Sequence, residues 1–86
     1  MAKYRILIKP SAIKEIEAIP LEKDRRRIVD RIGKLAENPR PPRCEKPSGQ
    51  DKYRIRQGSY RIVYTIEDQD LAVYVVKVAH RKDVYR

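Results

Sequence analysis

Between Lys52 and Thr65 the chain reads KYRIRQGSYRIVYT, and no other segment constrains the fold as tightly. Successive side chains of a strand point to opposite faces, so two alternating runs joined by Gly58-Ser59 specify a hairpin together with its register. Gln57 then pairs with Tyr60, Arg56 with Arg61, Ile55 with Ile62 and Tyr53 with Tyr64. One face carries Tyr53, Ile55, Tyr60, Ile62 and Tyr64. The other carries Arg54, Arg56 and Arg61, with Arg56 directly across from Arg61. Like charges in that position destabilise a sheet by about 0.2–1 kcal/mol, so a hairpin needed only for stability would avoid them. Three guanidinium groups on one surface point instead to a site for a polyanion.

The remaining elements follow from periodicity. Tyr4, Ile6 and Ile8 alternate as one face of a strand. Pro10-Ser11 opens a helix with Ser11 as the expected N-cap and Ile13, Ile16 and Ile19 as its apolar positions, ended by Pro20. A second helix is predicted from Leu21 to Glu37, with Ile28, Val29, Ile32, Leu35 and Ala36 as its buried stripe. Residues 39–51 (PRPPRCEKPSGQD) have neither helix nor strand period and read as a long loop. After the hairpin, Asp68-Gln69-Asp70 makes a turn. Leu71–Ala79 (LAVYVVKVA) is apolar at nearly every position, as in a strand covered on both faces. The order is strand, helix, helix, strand, strand, strand. The predicted fold is therefore α+β, βααβββ, one domain over residues 1–86, with an antiparallel sheet and both N-terminal helices packed on one face.

Charge narrows the choice of partner. Lysine and arginine number 21 against 12 aspartates and glutamates, a net charge of +9, which makes nucleic acid the first partner to consider and an acidic protein the second. Cys44 is the sole cysteine and His80 the sole histidine, so neither a disulfide nor a Cys/His zinc site is expected, and no metal or cofactor is assigned. With no signal-peptide core and no long apolar run, the chain reads as cytoplasmic, without a membrane partner.

The element order, the YRIR-turn-YRIVYTI hairpin and the closing VAHRKDVY resemble the RelE family of bacterial and archaeal toxins from type II toxin–antitoxin systems, over essentially the whole chain. The hairpin pattern is shared across the wider RelE/ParE superfamily, which contains ribosome-dependent mRNA endonucleases and gyrase-directed toxins on one scaffold. The resemblance implies a metal-independent endoribonuclease that cuts mRNA in the ribosomal A site, held in a hetero-oligomer with a RelB-like antitoxin. It places Arg54, Arg56, Arg61, Arg81 and Tyr85 at the catalytic positions. Two alternatives stand beside it: a ParE-like toxin of gyrase without nuclease chemistry, and a degenerate toxin that only binds RNA.

The chemistry fits these residue types. Guanidinium groups present paired donors matched to phosphate oxygens and do not give up their protons, so Arg54, Arg56 and Arg61 suit charge stabilisation rather than proton transfer. They stand where the best-known relatives carry lysines at the first two positions. Tyr85 is the expected base, its phenolate favoured by the surrounding cations, and Arg81 assists the leaving group electrostatically. An imidazole is the side chain best suited to acid–base work near neutral pH, which makes His80 a possible acid or base, but it neighbours Arg81, so on an alternating strand the two face opposite ways. Lys52, Arg25 and Arg26 are candidates for contacts with RNA or ribosome phosphates, Arg25 and Arg26 within a basic helical run that a solvated face also explains.

Overall fold

The hairpin forms in the register that alternation dictates. In the computed structural model, which describes residues 3–46 and 51–80, Tyr53–Gln57 (β2) and Tyr60–Glu67 (β3) run antiparallel with Tyr53 opposite Tyr64, Ile55 opposite Ile62 and Arg56 opposite Arg61. Gly58 takes φ 61° while Ser59 does not enter positive φ, the pattern of a type II′ turn whose twist matches the flanking strands.

Two further strands complete one sheet. Arg5–Ile8 (β1) and Ala72–His80 (β4) give the order β1-β4-β3-β2. β3 and β4 are antiparallel, but β1 lies parallel to β4. The expected antiparallel sheet therefore holds for β2, β3 and β4 and is corrected at β1, making the sheet mixed. Parallel neighbours need a long connection, and here it runs through both helices and the hairpin before the chain returns beside β1.

The helices Pro10–Glu17 (α1) and Glu22–Lys34 (α2) bury one stripe each. Ala12, Ile16 and Ile19 from the first segment and Ile28, Ile32 and Leu35 from the second lie in one core with Ile55, Ile62, Tyr64, Val73, Val75 and Val78 of the sheet. Both stripes follow the i, i+4, i+7 rule, so the β-branched neighbours one step off it turn outward. Ile13 is 43% exposed and Val29 54%, which corrects their expected place in the core. Lys9, not Ser11, occupies the N-cap of α1, because Pro10 sits at the first helical position where its missing N–H costs nothing. α2 stops at Lys34 rather than Glu37. Its last turn tightens into three-residue bonds, Leu35 to Ile32, Ala36 to Gly33 and Glu37 to Lys34.

An irregularity in β4 sets which residues reach each face. Val63 stands opposite Lys77 and Tyr64 opposite Val75, leaving Val76 as an extra residue. The bulge reverses the alternation, so Val73 and Val75 before it and Val78 after it all enter the core. β1 ends at Ile8, opposite Val75, and beyond that point the Val78 N–H is met by the Glu15 carboxylate of α1 at 3.0 Å, which also accepts from Lys77 Nζ at 3.1 Å.

The long loop is tied down at three places. Tyr64 Oη donates to the Pro39 carbonyl at 2.8 Å. Arg40 grips Asp68 with two bonds, at 3.1 and 2.8 Å, and donates to Tyr53 Oη at 3.2 Å. Glu45 exchanges two backbone bonds with Arg54, at 2.8 and 2.7 Å, an isolated antiparallel bridge that covers part of the outer edge of β2.

Candidate functional site

Because Tyr53, Ile55, Ile62 and Tyr64 turn toward the helices, Arg54, Arg56, Arg61 and Val63 occupy the opposite face of the sheet. Two rows cross it. Arg56, Arg61 and Ala79 form one, and Arg54, Val63 and Lys77 the other. The arginines are graded in depth. Arg56 is exposed, Arg54 half-buried, and Arg61 only 4% exposed. Ala79, opposite Arg61 in the register, and Val63, two residues along, are buried as well. An arginine keeps its charge there, and its field is screened less than that of a surface group. Lys52, exposed just ahead of β2, extends the positive surface along the chain.

The other expected site residues divide. His80 lies on the helix side opposite Tyr60, with ring centroids 5.5 Å apart and planes at 79°, so it does not share the face of Arg61. The bulge at Val76 is what puts it there. Arg81 and Tyr85 lie outside the described residues. Arg25 and Arg26 stand in the first turns of α2, in the helix layer rather than on the arginine face. Arg25 donates to the Ile19 carbonyl and so clasps the connection between the helices. Arg26 is exposed, 3.8 Å from Glu22 one turn earlier.

Two features do not follow from periodicity or motif. The first is a recess of about 660 Å³ at the edge of β2, where Arg31 of α2, Arg43, Cys44 and Glu45 of the loop, and Arg56, Gln57 and Gly58 of the hairpin meet. The repeated arginines of the PRPPRC segment were its one available signal. The second is the clamp around Asp68. Its carboxyl is held down at about 2 by the hydrogen bonds from Arg40 and then Tyr4, whose Oη donates at 2.7 Å. Arg40 is raised in return by Asp68 and Tyr53, and Tyr4 is raised chiefly by its bond to Asp68. Tyr64 is pushed well above the ordinary phenol range, first by burial and then by Cys44, with Arg31 opposing. The guanidinium of Arg40 and the ammonium of Lys46 each lie 5.5 Å from the centre of the Tyr53 ring, which itself stacks on Tyr64 at 5.7 Å.

Residues 6–85 match the profile of a family described as the ParE toxin of type II toxin-antitoxin system, parDE. The chain belongs to the RelE/ParE superfamily of type II toxin–antitoxin toxins. It is 32% identical to Toxin RelE of Mycobacterium tuberculosis (strain ATCC 25618 / H37Rv), over 96% of this chain and 87% of that one. It is 37% identical to Toxin RelG of the same organism over 54% of this chain, a match that spans 56% of RelG's length. The fold is similar to the toxin of the archaeal RelE-RelB complex from Pyrococcus horikoshii OT3, with a TM-score of 0.78 and 26% identity over 92% of this chain and 96% of that one. Among the described residues this RelE-like toxin has two helices and a four-stranded mixed sheet, and no helix there is long and apolar enough to cross a membrane.

Proposed function

We propose that this RelE-like toxin is an endoribonuclease that cuts mRNA in the ribosomal A site. The observation that carries the reading is the row Arg56–Arg61 on the face turned away from α1 and α2, with one arginine buried and the other open. In this mechanism the 2′-oxygen attacks its own 3′-phosphorus as the bond to the 5′-oxygen breaks. The 2′ proton passes to the Tyr85 phenolate, and the departing 5′-oxygen takes a proton from water, giving a cyclic phosphate and a 5′-hydroxyl. Arg61 and Arg56 hold the non-bridging oxygens, whose negative charge grows toward the transition state, and Arg54 adds to the same field. Arg81 supports the leaving oxygen by its charge. No metal enters, since the arginines supply the cationic stabilisation that a metal would give.

The toxin's partners on this reading are the ribosome, its mRNA, and a RelB-like antitoxin that holds it inactive in a hetero-oligomer in the cytoplasm. The relative from Pyrococcus horikoshii forms a RelE-RelB complex, and a net charge of +9 favours an acidic antitoxin. The test is to map mRNA 5′ ends in a translating extract with added toxin. Codon-phased ends are expected with the native chain and not with Arg61→Ala or Tyr85→Phe.

A second reading, a gyrase-directed toxin, is favoured by the ParE profile that spans residues 6–85. It needs the scaffold but not the arginine row. Inhibited DNA supercoiling with intact mRNA would establish it in place of the first.

A further inference from the structure

The recess at the edge of β2 is a second cationic site. Arg31, Arg43 and Arg56 line it. Among the described residues none of the three is in an ion pair, whereas Arg26, Arg40 and Lys77 each face a carboxylate. Glu45 lines the same recess without pairing any of them. Arg31 is the most telling member. Its Nε is buried and has no hydrogen-bond acceptor among the described residues, a desolvated donor of the kind that folded chains ordinarily satisfy. An anion entering the recess supplies the counter-charge that these three arginines lack.

Arg56 belongs to both surfaces. It stands beside Arg61 on the face turned away from α1 and α2 and also lines the recess around the strand edge. The two sites are therefore one continuous cationic path across β2. We propose that an RNA strand leaving the Arg54–Arg56–Arg61 face turns over the edge of β2 and lays one backbone phosphate in the recess, between Arg31, Arg43 and Arg56. The inference deepens the nuclease reading and rests on it for the identity of the ligand. The planar, paired donors of guanidinium groups suit a phosphate diester, and three of them leave net positive charge even after Glu45 is counted.

Cys44 is a built-in reporter, since it lines the recess and is the chain's sole cysteine. The probe is a short single-stranded RNA with 2′-O-methyl groups, which binds without being cut. Saturating probe is expected to slow alkylation of Cys44 at least several-fold in the native toxin and much less in Arg43→Gln. Fluorescence titration between about 50 and 200 mM salt adds a second readout. Each phosphate of a single strand that the protein ceases to neutralise reduces the slope of log K against log[salt] by about 0.7. Arg43→Gln and Arg31→Gln are expected to show that reduction, while Arg31→Lys keeps most of the native slope; melting curves identify any variant that fails to fold. Arg43 is exposed, so its substitution tests the site even if Arg31→Gln unfolds. RNA that binds while Cys44 reacts at its free rate would overturn the proposal. So would protection by an acidic antitoxin but not by RNA, which would assign the recess to a protein. Neither readout depends on cleavage: protection without mRNA cutting would sink the nuclease reading alone, and cutting without protection would sink this one alone.

Discussion

Arg56 and Arg61 stand opposite each other across the β2–β3 hairpin, one exposed and one buried, on the face turned away from α1 and α2. A sheet gains nothing from that pairing, and on the proposed function the arrangement is explained by the phosphate it would hold. Replacing Arg56 with threonine removes the repulsion and substitutes a residue suited to strands. The variant is expected to gain about 0.2–1 kcal/mol in urea unfolding while losing cleavage activity. A variant that is both less stable and fully active would contradict this account of the pair.

The Asp68 clamp makes the fold sensitive to acid. Its folded carboxyl titrates at about 2, below the ~3.9 of an unfolded aspartate. A depressed carboxyl contributes stability that is fully present above the unfolded value and is lost as pH falls from about 4 toward 2. Asp68→Asn is therefore expected to melt earlier than the native chain at neutral pH, with the gap closing toward pH 2. Both partners are about half exposed, so the gap should also shrink in high salt.

Tyr64 ties the loop to the core. Removing its hydroxyl in Tyr64→Phe leaves the Pro39 carbonyl without its donor, at a cost of about 1–3 kcal/mol measured by chemical unfolding. The raised phenol gives a second check. A phenol held above its unfolded value favours folding only below about pH 10, and stability falls as pH rises beyond that. Of the six tyrosines, Tyr64 is expected to be missing from the absorbance change at ordinary phenol pH and to ionise only as the fold gives way.

How much of this was written in the sequence depends on whether the signal is local. The hairpin register was legible from Tyr53 to Tyr64 because a period of two and a two-residue turn leave no freedom. The helices were legible as elements, but Ile13 and Val29 show that an apolar neighbour is not always part of the stripe. The parallel pairing of β1 with β4 was hidden because strand direction leaves no mark on alternation. The bulge at Val76 was hidden because LAVYVVKVA is apolar almost throughout, so a slipped phase changes nothing visible in the pattern. Alternation placed Arg61 on the right face yet was silent on its depth, because burial is set by the tertiary fold and leaves no mark on the pattern. The recess drew on Arg31, Arg43 and Arg56, brought together only by the tertiary fold.

The central claim is that the arginine row grips a phosphate as it reacts, and single-turnover cleavage on ribosomes programmed with a defined mRNA tests it most directly. Removing one preorganised donor to a developing oxyanion typically costs about 10²–10³ in rate. Arg61→Ala, shown folded by its melting curve, is expected to lose that much, while Arg26→Ala in the helix layer stays within a few-fold of the native rate. An Arg61→Ala toxin that cleaves as fast as the native chain would contradict the account.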